Sequence, residues 1–265
     1  MGIIDFHTHA FPDPLAERAM KALQEEGDIP AYLDGRIASL LGSMDRNGID
    51  RSVVCSIATR PAQFDPILKW SRAIASDRIR PFPSFHPDDP GWRDRIAAVK
   101  GEGFRGIKWH PYYQEFDIVR PDLFRMYERI ARAGLVLLLH TGYDFSFVHT
   151  PLADPARILR IAETFPELKL VPTHLGAWEM WDEVERLLVG RPVYMEVSFA
   201  CQFMSAERAR SIMSRHPAEY LLFGTDSPWA DQGEALSLFR GLHLTPATEK
   251  SILYENALRL LETKA

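Results

Sequence analysis

Short apolar runs recur along the whole chain, and each is followed by a polar or glycine-containing turn and then by residues with helical spacing. Eight runs have the length of a strand and are apolar at successive positions. Strands that are covered by helices on both faces show this pattern. The predicted strands span residues 2–7, 51–57, 80–86, 104–110, 134–140, 168–174, 193–199 and 220–226.

The segments between these runs carry the signals of helices. Residues 36–48 have apolar residues at three- and four-residue spacing and end in glycine, which is typical of a helix that buries one face. Residues 121–134 begin with proline and an acidic residue and also end in glycine, as helices tend to do. The same signals predict helices over 155–165, 178–190 and 245–262. Residues 141–155 form a loop that is long for a strand–helix connection.

The order of these elements predicts the fold. Alternating strands and helices favour parallel strands joined by right-handed crossovers. Eight such units in 265 residues predict an α/β fold, a (β/α)8 TIM barrel, as a single domain over residues 1–265. A doubly wound open sheet is the alternative, but its first strand is usually followed by a glycine-rich turn. Here the first strand ends in His7 and His9 instead.

Charge and composition narrow the function classes. The chain has a net charge of −5 with acidic and basic residues interspersed, so it lacks the basic block typical of nucleic-acid binding. The longest apolar run is too short to cross a bilayer, and the first residues lack the basic stretch of a secretory leader. Two cysteines do not suggest a disulfide framework. We expect a cytoplasmic protein with a small-molecule partner and no nucleic-acid or membrane partner, and a homo-oligomer is compatible with this.

Polar side chains cluster where the predicted strands end. In a barrel these ends meet at one mouth. The residues are His7, His9, His86, Lys108, His110, His140, His174, Glu196, Ser198 and Asp226. Imidazole and carboxylate groups are good ligands for zinc and similar divalent ions. A bound ion lowers the pKa of water toward neutrality, and a carboxylate beside it can take up the proton.

Some of these residues have a second interpretation. His86 and His110 precede prolines, so each fits either the mouth of the barrel or the cap of a turn. Glu196 fits either a buried polar layer or the site, and Asp5 fits either a strand start or a group that orients a ligand. Three tryptophans and three histidines are expected to be core or surface residues rather than site residues: Trp178, Trp181, Trp229, His149, His216 and His243.

Six motifs together resemble those of a known superfamily. They are DFHTHA (5–10), GIKWHP (106–111), LLLHTG (137–142), VPTHLG (171–176), LLFGTDSPW (221–229) and YENALRLL (254–261). In this order the chain resembles the amidohydrolase superfamily, and most of all the branch that includes the aminocarboxymuconate-semialdehyde decarboxylase-like proteins. The combination of the early H-x-H pair with the late Gly-Thr-Asp-x-Pro is specific, although each motif alone is weak.

The resemblance implies a barrel that carries a divalent metal ion. Its ligands would be His7, His9, His140 and Asp226, and His174 would be either a ligand of a second ion or a hydrogen-bonding catalytic histidine. Lys108 stands where two-metal members of the superfamily have a carboxylated lysine, but single-metal relatives share the G-x-K-x-H-P stretch. We expect one ion, with zinc as the metal and manganese as the alternative. Two ions would require carboxylation of Lys108.

The predicted reaction is hydrolysis of an amide, lactone or ester of a small molecule by metal-activated water. Asp226 would bind the metal and accept the proton, His174 would polarise the carbonyl, and Lys108 and His110 would position the substrate with the 141–155 loop. The alternative is non-oxidative decarboxylation of a small carboxylated substrate, although the chain is short for such enzymes. A third hypothesis is a barrel that binds a ligand without catalysis.

Overall fold

The computed structural model of the protein describes residues 2–262, and each of the eight predicted apolar runs overlaps a strand. Most strands are shorter than their runs, and the last two have only two residues each. The strands are β1 Ile4–Thr8, β2 Arg51–Cys55, β3 Ile79–Phe82, β4 Gly106–Trp109, β5 Val136–Leu139, β6 Lys169–Pro172, β7 Met195–Glu196 and β8 Leu221–Leu222.

The paired strands are all parallel, as predicted, but they form three sheets rather than one continuous ladder. The sheets have the orders β1-β2-β3, β4-β5-β6 and β7-β8. Backbone hydrogen bonds join them: Lys108 N–H donates to the Pro83 carbonyl (3.1 Å), Leu175 N–H to that of Glu196 (2.6 Å), and Phe6 N–H to that of Phe223 (2.8 Å). The described residues therefore form an α/β fold in which the three sheets adjoin in chain order.

The break between β3 and β4 has a cause in the sequence. The carbonyls of Arg78 and Phe82 accept hydrogen bonds from β2. Because successive residues of a strand point to opposite sides, Pro81 and Pro83 are turned toward β4. Proline has no N–H to donate, and the Ile79 N–H donates to the Ser76 hydroxyl (3.0 Å). Pro81 and Pro83 therefore offer only carbonyl acceptors toward β4, and Lys108 N–H uses the Pro83 carbonyl.

Twelve α-helices connect and cover the strands among residues 2–262. They are α1 Asp13–Gly27, α2 Ile37–Asn47, α3 Phe64–Ile74, α4 Trp92–Gly101, α5 Leu123–Ala133, α6 Pro155–Thr164, α7 Trp181–Leu187, α8 Ala200–Phe203, α9 Ala206–Arg215, α10 Gln232–Arg240, α11 Pro246–Lys250 and α12 Asn256–Glu262. No helix of this described part is long and apolar enough to cross a membrane.

Most predicted helices agree with these bounds, and two differ. The helix predicted over 178–190 is confined to α7, because the backbone of Trp178 pairs with Thr141 and Tyr143 across the site. The helix predicted over 245–262 is interrupted by a π-helical turn at Ser251–Glu255 between α11 and α12. The loop predicted over 141–155 is free of helix until α6 begins at Pro155.

Two buried clusters form the core. The larger cluster lies between strands and helices and contains residues such as Leu40, Trp109 and Tyr127. The smaller one is formed by side chains of the strands, among them Phe6, Leu138 and Leu222, and by Leu260 of α12. The residues that follow the strands are therefore carried on a rigid, closely packed base.

Candidate active site

The two histidines of the first motif come together beyond β1. His7 is 1% exposed, and its Nε2 lies 3.1 Å from Nε2 of His9. Nδ1 of His9 lies 3.0 Å from the carbonyl oxygen of Cys55. Because that oxygen can only accept, the proton of His9 is on Nδ1, and its Nε2 presents a lone pair. On the other side, Nδ1 of His7 lies 3.0 Å from Oε2 of Glu196.

Asp226 faces both of these imidazoles. Its Oδ1 lies 3.3 Å from Nε2 of His7 and 3.1 Å from Nε2 of His9, yet within residues 2–262 this buried oxygen has no hydrogen-bond donor. Asp226 has a left-handed backbone (φ 63°), and its N–H donates to the carbonyl of His7 (2.8 Å).

Asp5 fixes the turn that carries Asp226. Its carboxylate accepts hydrogen bonds from the backbone and hydroxyl of Thr225 (3.0 and 2.6 Å) and from the amide of Gln232 (2.7 Å). Burial raises the pKa of Asp5 to about 6. Of the two interpretations of Asp5, the structure therefore favours a group that orients a site residue rather than an ordinary strand start.

Lys108 completes the base of the cluster. Its side chain is fully buried, and Nζ lies 2.9 Å from Nε2 of His7. Burial lowers the pKa of Lys108 and holds the pKa of His7 well below its ordinary value. A neutral His7 accepts from Lys108 through the same nitrogen that faces Asp226.

A chain of polar groups leads from His7 to His140. The Ser198 hydroxyl donates to Oε2 of Glu196 (2.8 Å) and lies 2.9 Å from Nδ1 of His174. Nε2 of His174 lies 3.1 Å from Nδ1 of His140, whose Nε2 donates to the Tyr143 carbonyl (2.9 Å). The Tyr143 carbonyl therefore fixes the proton of His140 on Nε2 and leaves a lone pair on Nδ1.

Burial shifts the pKa values of this chain. It raises the pKa of Glu196 to about 8 and lowers that of His140 to about 3. Glu196 and Ser198 thus connect β7 to His7 of β1 and to His174 after β6. Glu196 is fully buried and lies outside the residues that line the cavity, so it is a buried polar group in contact with the candidate site.

Two groups of possible ligand atoms contain most of the predicted site residues. The ligand atoms of His7, His174 and Asp226 all lie within 4.8 Å of one another, and so do those of His110, His140 and Asp144. Nε2 of His9 lies beside the first group, 3.1 Å from Oδ1 of Asp226. The predicted ligand His140 also contacts the first group, because its Nδ1 lies 3.1 Å from Nε2 of His174.

The second group is organised as a stack rather than as a ligand set. The rings of His110 and His140 are nearly parallel (14°) with centroids 3.9 Å apart. Parallel rings direct their nitrogens side by side and do not aim both at one ion. Oδ2 of Asp144 lies 3.3 Å from Nε2 of His110 and 3.7 Å from Nε2 of His140, so Asp144 orients both rings. Sequence reasoning missed Asp144, although its position four residues after His140 in the long loop was an available signal.

A cavity of about 480 Å³ opens above these residues. His7, Lys108, His140 and Asp226 are among the residues at its surface. Trp178 and Trp229 also line it, so the expectation that they are only core residues is wrong. Trp181 lies behind the site and donates from its indole to the His174 carbonyl (3.0 Å), which agrees with a core role.

The remaining histidines lie away from this cavity. Nδ1 of His86 accepts from the backbone N–H of Asp88 (3.1 Å), which is the turn-capping interpretation. His216 is buried and bonded through Nε2 to the Val193 carbonyl (2.9 Å). His149 and His243 are exposed, as expected.

Similarity to known proteins covers almost the whole chain. A family model described as Amidohydrolase matches residues 4–263. No curated protein matches the chain. Among solved structures, an uncharacterised TIM-barrel protein from Bordetella bronchiseptica is similar with a TM-score of 0.78 and 20% identity over 98% of both chains.

Two further similar structures are, by name, a decarboxylase and a probable hydrolase. A dihydroxybenzoic acid decarboxylase from Polaromonas sp., with bound manganese and the inhibitor 2-nitroresorcinol, has a TM-score of 0.74 at 15% identity and covers 100% of this chain and 98% of its own. A probable 2-pyrone-4,6-dicarboxylic acid hydrolase from Acinetobacter baumannii, with citric acid bound, has a TM-score of 0.70 at 15% identity and covers 98% of this chain and 99% of its own. At these identities the likeness concerns the fold.

Proposed function

Because the chain belongs to the amidohydrolase family, we propose that it is a metal-dependent enzyme that hydrolyses an amide, ester or lactone of a small molecule. The observation that carries this proposal is the convergence of acceptors at the base of the cavity. Nε2 of His9 and Oδ1 of Asp226 are both acceptors and lie 3.1 Å apart. Nε2 of His7 lies 3.3 Å from the same oxygen.

These groups fit a divalent cation. A buried acceptor without a donor is costly, and here a carboxylate oxygen faces imidazole lone pairs. A cation between the carboxylate oxygen and the imidazole nitrogens would be bound by all of them and would remove their mutual repulsion. His7, His9 and Asp226 would hold it, with His140 or His174 as the fourth protein ligand. Imidazole and carboxylate ligands suit zinc, and the same donor set accommodates manganese.

The proposed architecture is a (β/α)8 barrel with this centre at its carboxyl-terminal mouth. Eight parallel strands in chain order, the backbone hydrogen bonds between the three sheets, and the TIM-barrel neighbour support it. Enzymes of this fold carry their sites on the loops after the strands. The residues proposed as ligands all lie at or just after strand ends.

The chain's own residues would then do most of the positioning. When bound, a divalent ion lowers the pKa of water and polarises a carbonyl. Asp226 accepts the proton of the attacking water and passes it to the leaving group. His174 donates from Nδ1 to the Ser198 hydroxyl oxygen (2.9 Å), and its Nε2, once protonated, would donate to the oxygen on which negative charge develops. Asp144 keeps the imidazole of His110 oriented at the substrate side.

Decarboxylation is the second candidate, and the neighbours favour it. Several solved structures similar to this chain are decarboxylases by name. The chain covers 99% of the length of a 2,6-dihydroxybenzoate decarboxylase and 99% of the probable hydrolase, so chain length does not favour hydrolysis as the sequence suggested. On this site the same cation would hold the substrate carboxylate, and a protonated group would deliver the proton that replaces it.

One experiment separates the two reactions. Purified protein loaded with zinc or manganese is incubated with a panel of esters, lactones and anilides and with a panel of hydroxybenzoates, and acid release and carbon dioxide release are both measured. We expect acid release from the first panel. Carbon dioxide release alone would establish decarboxylation, and no turnover of either panel by fully loaded protein would contradict the proposal.

A further inference from the structure

The base of the cavity is charged, whereas its walls are largely apolar. Its base carries the charged and titratable groups already described, among them His7, Lys108 and Asp226. Its walls come from segments that have no part in the proposed chemistry. These walls decide which substrate body fits above the reacting group.

One wall is largely aliphatic and comes from two segments of the chain. The first is α1 with its flanking residues, and the second is the stretch that follows β2 and leads into α3. The residues are Phe11, Leu15, Leu23, Ile57, Ile67 and Trp70. Leu15 is 44% exposed at the rim although it is a large apolar side chain, so the apolar surface continues to the opening.

A second wall is aromatic. Phe145 packs on Trp178 with ring centroids 4.9 Å apart, and Trp178 packs on Phe199 at 5.4 Å. Trp229 lines the same cavity. Phe145 is 38% exposed, so this wall also ends in apolar surface at the rim.

Within residues 2–262, the walls offer no cationic side chain to a second negative charge, and their polar groups, such as those of Thr59, Gln63 and Tyr113, are neutral. Among the described residues that line the cavity, Lys108 is the one lysine or arginine, and it lies at the base against His7. Asp144 adds a negative charge to the lining. A carboxylate buried against the walls would therefore lose its hydration without gaining a cation, which is costly.

From these contacts we infer that the substrate is a monoanionic or neutral acyl compound with an apolar body, alkyl or aryl, and not a dicarboxylate. This inference rests on the proposed function. The acyl or carboxylate end lies at the base, and the apolar body lies between the aliphatic and aromatic walls. A cavity of about 480 Å³ is within the range of roughly 300–1,000 Å³ that holds compact organic ligands.

The test is a calorimetric titration of the metal-loaded protein with butanoate, hexanoate and octanoate, and with hexanedioate. Each methylene buried in the apolar walls should tighten binding roughly fourfold. Hexanedioate should bind at least tenfold more weakly than hexanoate, because its second carboxylate meets the walls. Equal affinity across the alkyl series, or tighter binding of hexanedioate, would overturn the inference.

Two matched variants test whether the preference for apolar ligands comes from the wall that contains Leu15. Leu15→Lys places a cation at the rim and should weaken octanoate while improving hexanedioate relative to hexanoate. Leu238→Lys is the control, since Leu238 is 37% exposed on α10 and is not among the cavity residues. The same shift in both variants would contradict a wall-specific effect.

Metal content and turnover of the same samples separate the two claims. A protein without bound metal and without turnover of any panel compound contradicts the proposed function. A loaded, active protein whose affinity does not depend on the apolar body contradicts only the inferred substrate class.

Discussion

Asp226 is the residue on which the proposed chemistry depends. Its Oδ1 is buried, lacks a donor within the described chain, and faces His7 and His9. Asp226→Asn keeps the size and an oxygen but removes the proton acceptor. We expect turnover to fall by about 10²–10⁴-fold while part of the metal remains, as measured by steady-state kinetics and metal analysis. Near wild-type turnover would show that another group takes the proton.

Lys108 decides the number of metal ions. A cationic lysine repels a second divalent ion, whereas a carboxylated lysine would bridge two. Its Nζ lies 2.9 Å from Nε2 of His7, which places it directly against the first ion's ligands. We expect about one equivalent of metal per chain, unchanged in Lys108→Met, together with a raised KM for anionic substrates.

Lys169→Met is the matched control for this experiment. Lys169 lies on β6, and its Nζ donates to the Gly134 carbonyl (3.3 Å) away from the cavity. It should change neither the stoichiometry nor KM. Two tightly held equivalents in the wild type, with one lost in Lys108→Met but not in Lys169→Met, would establish the two-metal site.

At the residue scale, predictions from the sequence were most accurate where the position of a side chain depends on local backbone geometry alone. His7 lies on β1 and His9 follows the end of this strand. Their rings meet because alternate residues of an extended chain point to the same side. Asp144 could not be predicted in the same way. Its position depends on the course of a loop that is set by contacts such as those with His110 and His140.

At the element scale, Gly142 ties the loop after β5 to the loop after β6. It has a positive φ of 85°, and a Cβ there would lie 2.0 Å from the backbone N of Trp178. Trp178 N–H donates to the Thr141 carbonyl (2.9 Å), and Tyr143 N–H donates to that of Trp178 (3.0 Å). This junction holds His140 beside His174.

Gly142→Ala should therefore destabilise the protein by at least about 2 kcal/mol, because it combines a left-handed backbone with a backbone clash. Gly101→Ala is the control, since Gly101 ends α4 and a Cβ there would meet nothing within 4 Å. That change should be neutral or stabilising by about 0.4–1 kcal/mol. Thermal or urea unfolding measures both, and equal stability of the two variants would contradict this role of Gly142.

Helix bounds show where element-level prediction stops. The bounds of α2 and α5 follow from local spacing and a terminal glycine, and the structure agrees with the prediction within a few residues. The start of α7 could not be obtained in this way, because Trp178 is held by backbone bonds to a loop more than thirty residues earlier in the chain. Tertiary contacts here override local propensity.

At the scale of the whole molecule, the order of eight parallel strands was predictable and the interruption of their ladder was not predicted. Pro81 and Pro83 were visible in the sequence, but the direction in which they face became clear only from the pairing with β2. The contacts of Glu196 with His7 and of Ser198 with His174 likewise depend on the approach of β7 to β1 and β6, so they could not be predicted from the sequence.

Acid stability is a whole-molecule property with a contribution from His216. Burial lowers its pKa to about 4, whereas an unfolded histidine titrates near 6.5. Between these values the unfolded chain binds more protons, so the free energy of unfolding falls as the pH drops from about 6.5 to 4. His216→Gln should remove from this slope up to about 1.4 kcal/mol per pH unit.

The control is His243→Gln, because His243 is exposed. Urea unfolding of both variants and of the wild type at several pH values between about 4 and 7 gives the slopes. A slope in His216→Gln equal to that of the wild type would show that His216 does not titrate differently in the folded state.

The central claim, that converging side chains at the strand ends hold one catalytic cation, is tested most directly by metal analysis of wild type, His7→Ala, His9→Ala and His149→Ala after equilibration with zinc. His149 is exposed and lies outside the residues that line the cavity. We predict about one equivalent in the wild type and in His149→Ala, and loss of most of it in the other two variants with unchanged circular dichroism. Full metal retention by His7→Ala or His9→Ala, or no metal in the wild type, would contradict the claim.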